Sequence, residues 1–112
     1  MSKDNVILII ITVPDAKSAN KISAMLVEQR LAACVNTITG VTSLYRWEGE
    51  LNSDEELILL VKTASDNFDK ISMAVKSIHP YDLPEIIAVP VVAGFSPYLK
   101  WVKDESSDDS TT

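Results

Sequence analysis

The sequence predicts a single α+β domain whose main elements run in the order β-α-β-β-α-β. Three observations carry the prediction. Apolar runs rich in β-branched residues stand at both ends of the body, at Val6–Val13 and at 86–93. Two intervening segments repeat apolar residues every three or four positions, as amphipathic helices do. Between those helices lie two strand-like stretches joined by polar, glycine-containing turn residues, the pattern of a hairpin.

Taken in order, Val6–Val13 is apolar on both faces and therefore reads as a central strand. Pro14-Asp15 ends it, and Asp15 is placed to cap a helix. That helix carries Ala16, Ala19, Ile22, Met25 and Leu26 at helical spacing to about Gln29. Cys34–Trp47 returns to strand character. Strict alternation would put Val35, Thr37, Thr39, Val41, Ser43, Tyr45 and Trp47 on one face and Ile38 and Leu44 on the other, with Gly40 a bulge. The turn is expected over 48–54 and the answering strand over 57–61. Phe68, Ile71, Val75 and Ile78 mark the second helix, which His79-Pro80 stops. Pro90 inside the last strand points to a sheet edge or bulge, because proline cannot donate to a ladder. Ser96-Pro97 opens a short terminal helix through Trp101 and Val102. A split βαβ, or ferredoxin-like, sandwich is the architecture that this order describes.

The chain has 112 residues and 46% apolar side chains, enough for one domain with a core. A domain of this size leaves much apolar surface to be buried by association. The net charge of -6 argues against nonspecific nucleic-acid binding, which requires a basic face. Part of that charge is local: four acids and one base fall in the last ten residues, so the domain is drawn at 1–103 and a disordered acidic tail at 104–112. A lone cysteine allows no intrachain disulfide, and the short apolar run at 6–11 lacks signal-peptide flanks, so a cytoplasmic protein is expected. No stretch reaches the ~20 apolar residues of a membrane-spanning helix. No catalytic triad or glycine-rich phosphate loop is visible, and the expectation is a binding protein rather than an enzyme.

Five local strings are more specific than the fold: Arg30-Leu-Ala-Ala-Cys-Val-Asn36, Thr42-Ser-Leu-Tyr-Arg-Trp-Glu-Gly49, Lys62-Thr63, His79-Pro-Tyr-Asp-Leu-Pro-Glu85 and Tyr98-Leu-Lys-Trp101. In this order and spacing the chain resembles the CutA divalent-cation-tolerance family over residues 7–102. The resemblance implies a ferredoxin-like subunit in a tight homotrimer similar to that of the P-II signalling proteins. It also implies a part in tolerance of divalent metals, copper above all. A P-II-like trimer that binds a small ligand between subunits and reports to a protein partner is the alternative function.

Candidate metal ligands are His79, Asp82, Glu85 and Cys34. Imidazole and carboxylate together suit Cu(II) or Zn(II), and a thiolate would suit Cu(I). Against that, His79 can serve to cap the second helix, and Cys34 among apolar neighbours reads as a packing residue. Some CutA proteins carry a further cysteine and a second histidine where this chain has Ile11 and Ile78. Tyr45, Trp47, Lys62 and Tyr81, with Glu85, form a second constellation able to line a cleft for a small anionic or zwitterionic ligand. The alternatives are that Tyr45 and Trp47 anchor a subunit interface and that Lys62 pairs with Glu85.

Overall fold

The computed structural model describes residues 5–107. Its elements are β1 (Val6–Val13), α1 (Ala16–Glu28), β2 (Cys34–Trp47), β3 (Glu50–Ala64), α2 (Phe68–Ile78), β4 (Ile86–Pro90) and α3 (Ser96–Glu105), with a short 3-10 turn at Ser65–Asn67 before α2. All strand pairs are antiparallel, and the sheet order is β2-β3-β1-β4. The connection through α1 passes over β3 and the one through α2 passes over β1. This is the ferredoxin-like arrangement expected, with β1 central and β4, which carries Pro90, at an edge.

The core lies between one sheet face and the two crossover helices. Ile7, Ile9, Ile11 and Val13 of β1 share that face with Leu59 and Val61 of β3, because register partners point the same way. Against them pack Ala19, Ile22 and Leu26 of α1 and Ile71 and Val75 of α2. Each large aliphatic side chain so enclosed contributes about 1.5–3 kcal/mol relative to exposure. Asp15 caps α1 as expected: its Oδ1 accepts from the Ser18 N–H at 2.8 Å, and this bond holds its carboxyl below the usual carboxylate range.

The hairpin is tighter and longer than the sequence pattern indicated. Glu48 and Gly49 both have positive φ, 52° and 80°, so they make the whole turn as a two-residue loop. Residues 50–56, expected as turn and flank, belong to β3 instead. Only residues 57–64 of β3 have β1 as a partner, so 41–47 and 50–56 pair with each other alone. The result is a two-stranded ribbon of seven residue pairs projecting from the body.

Gly40 forms the expected bulge, with φ 72°, and the register shifts between Ile38 and Val41. The bulge also corrects the face assignment. Ile38 faces Ile58 and Val41 faces Glu56, two β3 residues on one side of the sheet, so Val41, Ser43, Tyr45 and Trp47 join Ile38 on the face away from the helices. Val35 and Thr37, opposite Val61 and Leu59, lie on the helix-covered face.

The terminal helix also differs from expectation. α3 runs to Glu105, and Ser106 is buried, so residues 104–107 are part of the domain rather than its tail. Arg30, itself at φ 59°, donates from Nε to the Ser107 carbonyl at 2.8 Å and from Nη2 to the Asp104 carbonyl at 3.0 Å. Asn67 donates from Nδ2 to the Ser106 carbonyl at 2.6 Å. A basic side chain on the last helical carbonyls satisfies acceptors that the helix leaves open. The remainder of the expected tail, 108–112, lies outside the described residues. Among the described residues no helix is long and apolar enough to cross a membrane.

Candidate ligand-binding site

The face of the sheet away from the helices carries one polar position in β1, Thr12, opposite Ile58 and beside Glu56 of β3. Here the ribbon leaves the body, and the loop from α2 to β4 folds against it. A cavity of about 500 Å³ lies between them. Thr12, Tyr45, Trp47 and Glu56 line it from the sheet; Pro80, Tyr81, Asp82, Leu83 and Glu85 line it from the loop.

His79 holds that loop in place. It is buried, its Nε2–H donates to the Thr12 carbonyl at 2.8 Å, and its Nδ1 accepts from the Tyr81 N–H at 3.0 Å. A carbonyl can only accept and an amide N–H can only donate, so the two contacts fix one tautomer and occupy both ring nitrogens. The ring also packs on Tyr81, with centroids 4.9 Å apart. Two further hydrogen bonds close the cavity walls. The Tyr81 hydroxyl donates to Glu56 Oε2 at 2.5 Å, and the Thr12 hydroxyl donates to Glu85 Oε1 at 3.1 Å.

The electrostatics are one-sided. Glu56, Asp82 and Glu85 are the charged lining residues, and among the described residues no Lys, Arg or His lines the cavity. Burial, the bond to Glu56 and the negative charges of Glu56 and Asp54 together push the Tyr81 phenol far above its ordinary 10. Tyr45 is raised as well, first by its hydrogen bond to Asp54 and then by burial.

The predicted site residues are thus divided by the fold. Tyr45, Trp47, Tyr81, Asp82 and Glu85 meet at the cavity. Cys34 does not: it sits at the opposite end of β2, half-buried, across from Lys62. Lys62 is away from the cavity too, with Nζ 5.8 Å from the centre of the Tyr98 ring. The expected Lys62–Glu85 pair is replaced by the Thr12–Glu85 hydrogen bond, because the register sets Lys62 opposite Leu8 and Thr12 opposite Ile58. Among the described residues no group of three or more His, Cys, Asp or Glu is gathered as a metal-binding set. Thr12 and Glu56 are wall residues that the sequence reading missed. The available signals were a hydroxyl in an otherwise apolar strand and a carboxylate bordering the apolar run of β3.

This fold, with a cavity where the ribbon leaves the sheet, defines a small ferredoxin-like α+β domain. Residues 7–105 match the family model described as CutA1 divalent ion tolerance protein, and the chain belongs to that family. It is 48% identical over 99 residues to the divalent-cation tolerance protein CutA of Thermus thermophilus, covering 88% of this chain and 96% of that protein. It is 44% identical over 104 residues to human protein CutA, covering 91% of this chain but only 58% of the human protein. Among solved structures, the divalent cation tolerance protein of Thermus thermophilus superposes with a TM-score of 0.89 at 47% identity, covering 91% of this chain and 99% of that one. Oryza sativa CutA1 gives 0.90 at 36% identity, covering 93% and 95%. The family is one of divalent-cation tolerance.

Proposed function

We propose that the chain works in the cytoplasm as a non-catalytic homotrimer in the response to divalent cations, taking its ligand in the cavity beside Glu56 and Glu85. The observation that carries the self-association is the projecting ribbon. Leu44 and Leu51 on it are 69% and 66% exposed, and Tyr45 and Trp47 are exposed as well. An isolated two-stranded hairpin is marginal in water, so seven unsupported pairs call for a surface to lie on. The sheet face away from the helices offers one in a second copy, with Ile38, Ile87 and Val89 exposed. The number three comes from the family resemblance. Sedimentation equilibrium tests it: the expected mass is three times the 12.3 kDa of the chain. A monomer at micromolar concentration would overturn it, and Leu44→Glu with Leu51→Glu is expected to weaken the assembly.

A copper site built from one chain does not fit these residues. Cu(II) prefers imidazole nitrogen together with other N or O donors. Both nitrogens of His79 are taken, and Cys34 lies elsewhere. A second reading keeps the metal at the assembly level, with Glu85 and Asp82 supplying oxygens beside donors from a neighbouring subunit. The carboxylates at the cavity support it, as does the name of the Thermus relative. Titration with Cu(II) and Zn(II) discriminates: on this reading Glu85→Gln weakens binding and His79→Ala does not. A P-II-like adaptor role would add a protein partner that reads the occupied trimer, and co-purification with and without ligand tests it.

A further inference from the structure

We propose that the cavity is a receptor site for a small organic cation, an ammonium or guanidinium group on an apolar body. The inference rests on the reading of the cavity as the ligand site and goes on to name the ligand's chemistry. A volume of about 500 Å³ is in the range of small-molecule pockets rather than of single ions. Its walls combine three aromatic rings, Tyr45, Trp47 and Tyr81, with three carboxylates. Ring faces attract cations through their quadrupole, most strongly where water is excluded.

Three features select an organic cation over the alternatives. An anion would meet Glu56, Asp82 and Glu85, and among the described residues of the chain no basic side chain lines the cavity to receive it, since Lys62 lies against Tyr98 instead. A compact divalent ion needs donors converging on one point, and within one chain the acids form no such group among the described residues, so a metal here would depend on donors from a second copy. A neutral ligand would leave the carboxylates unanswered. Glu56 is the decisive group: it is only 7% exposed, its Oε2 is held by the Tyr81 hydroxyl, and its Oε1 stays outside that bond as an acceptor. Glu85 is similarly oriented by Thr12 through Oε1, which leaves Oε2 for a second N–H. Two lining carboxylates, each with one oxygen fixed by a hydrogen bond, and flanking rings suit a cation with several N–H donors on a hydrophobic stem.

Calorimetry on the assembled full-length protein tests this with three probes of matched shape: benzylammonium, benzyl alcohol and benzoate. Benzylammonium is expected to bind, more weakly as salt is raised, while the other two do not. Glu56→Gln and Glu85→Gln should each weaken it at least about tenfold, since a hydrogen bond to a charged group is worth ~1.5–3 kcal/mol and about 1.4 kcal/mol is tenfold. Circular dichroism and oligomeric mass confirm that each variant is folded. Glu85 is exposed, so its variant keeps the test valid even where Glu56→Gln perturbs the wall. Binding of benzoate or benzyl alcohol in preference to the amine overturns the cation assignment while leaving a ligand cavity in place. Binding of none of the three overturns both, and unchanged amine affinity in both variants removes the site from this cavity.

Discussion

Replacing His79 by alanine separates a structural histidine from a metal ligand. The substitution deletes two hydrogen bonds, 2.8 Å to the Thr12 carbonyl and 3.0 Å from the Tyr81 N–H, and the ring contact with Tyr81. Each neutral bond contributes about 1 kcal/mol net, and more where the abandoned partner stays buried. The loss of ring packing adds to that, so the expected destabilisation is about 2–4 kcal/mol. Urea unfolding at one fixed protomer concentration measures it, because the midpoint of an oligomer depends on concentration. His79→Phe is the control. It restores ring volume without a donor or acceptor, so the stability still missing is the cost of stranding the Thr12 carbonyl and the Tyr81 N–H. Cu(II) and Zn(II) titrations on the same proteins are expected to match the wild type. The reasoning is refuted if stability is unchanged and metal affinity collapses, since His79 would then have a free nitrogen and no load to hold.

Three further outcomes follow from the same geometry. Asn67→Ala removes the amide that reaches the Ser106 and Leu31 carbonyls and the Thr63 hydroxyl, and should cost about 1–3 kcal/mol while making α3 more open to proteolysis; resistance equal to wild type would place the anchor in Arg30 alone. Gly40→Val puts a β-branched side chain at φ 72°, and urea unfolding should show a loss of at least about 1 kcal/mol even though a Cβ there meets no atom. Ultraviolet difference titration should find the Tyr81 phenol still protonated well above pH 10. Its folded-state value is raised, so its contribution to stability is full below pH 10 and is lost as pH rises through the folded value. Tyr81→Phe should flatten that alkaline limb.

Local signals in this chain act through the backbone, and those were legible. The Asp15 cap, the stop at His79-Pro80, the bulge at Gly40 and the edge position of Pro90 each follow from what one residue permits in its own φ/ψ or hydrogen bonding. Facing across the sheet was not legible. One extra residue at the bulge reverses the parity of everything after it, so Tyr45 and Trp47 fell on the correct strand but among the wrong companions. Lys62 shows the same limit: strand register, which depends on pairing far along the chain, decides that it meets Tyr98 rather than Glu85. The role of Arg30 was hidden for a related reason. Its partners, the Asp104 and Ser107 carbonyls and the Glu105 carboxylate, lie in a segment whose composition reads as solvated tail, and the burial of Val102 and Ser106 brings them within reach.

Glu56 carries the last prediction, because it is a nearly buried carboxylate with no basic residue beside it in the cavity lining among the described residues. It is buried in a ribbon whose neighbouring acids include Asp54 and Glu55, and the charges of Asp54 and Glu56 both act on the Tyr45 and Tyr81 phenols. Like charges on Asp54 and Glu56, with no Lys, Arg or His lining the cavity among the described residues, oppose folding, and glutamine would keep an acceptor for the Tyr81 hydroxyl while removing the charge. Glu56→Gln is therefore expected to stabilise the protein by about 0.5–2 kcal/mol, the range of single charge-optimising substitutions. Thermal unfolding at neutral pH and fixed protomer concentration checks the sign. A rise in midpoint together with lost amine binding means that the carboxylate is kept for the ligand at the expense of the fold. A fall of similar size means that Glu56 is a strut for the loop, and the cavity then owes its charge to Asp82 and Glu85 alone.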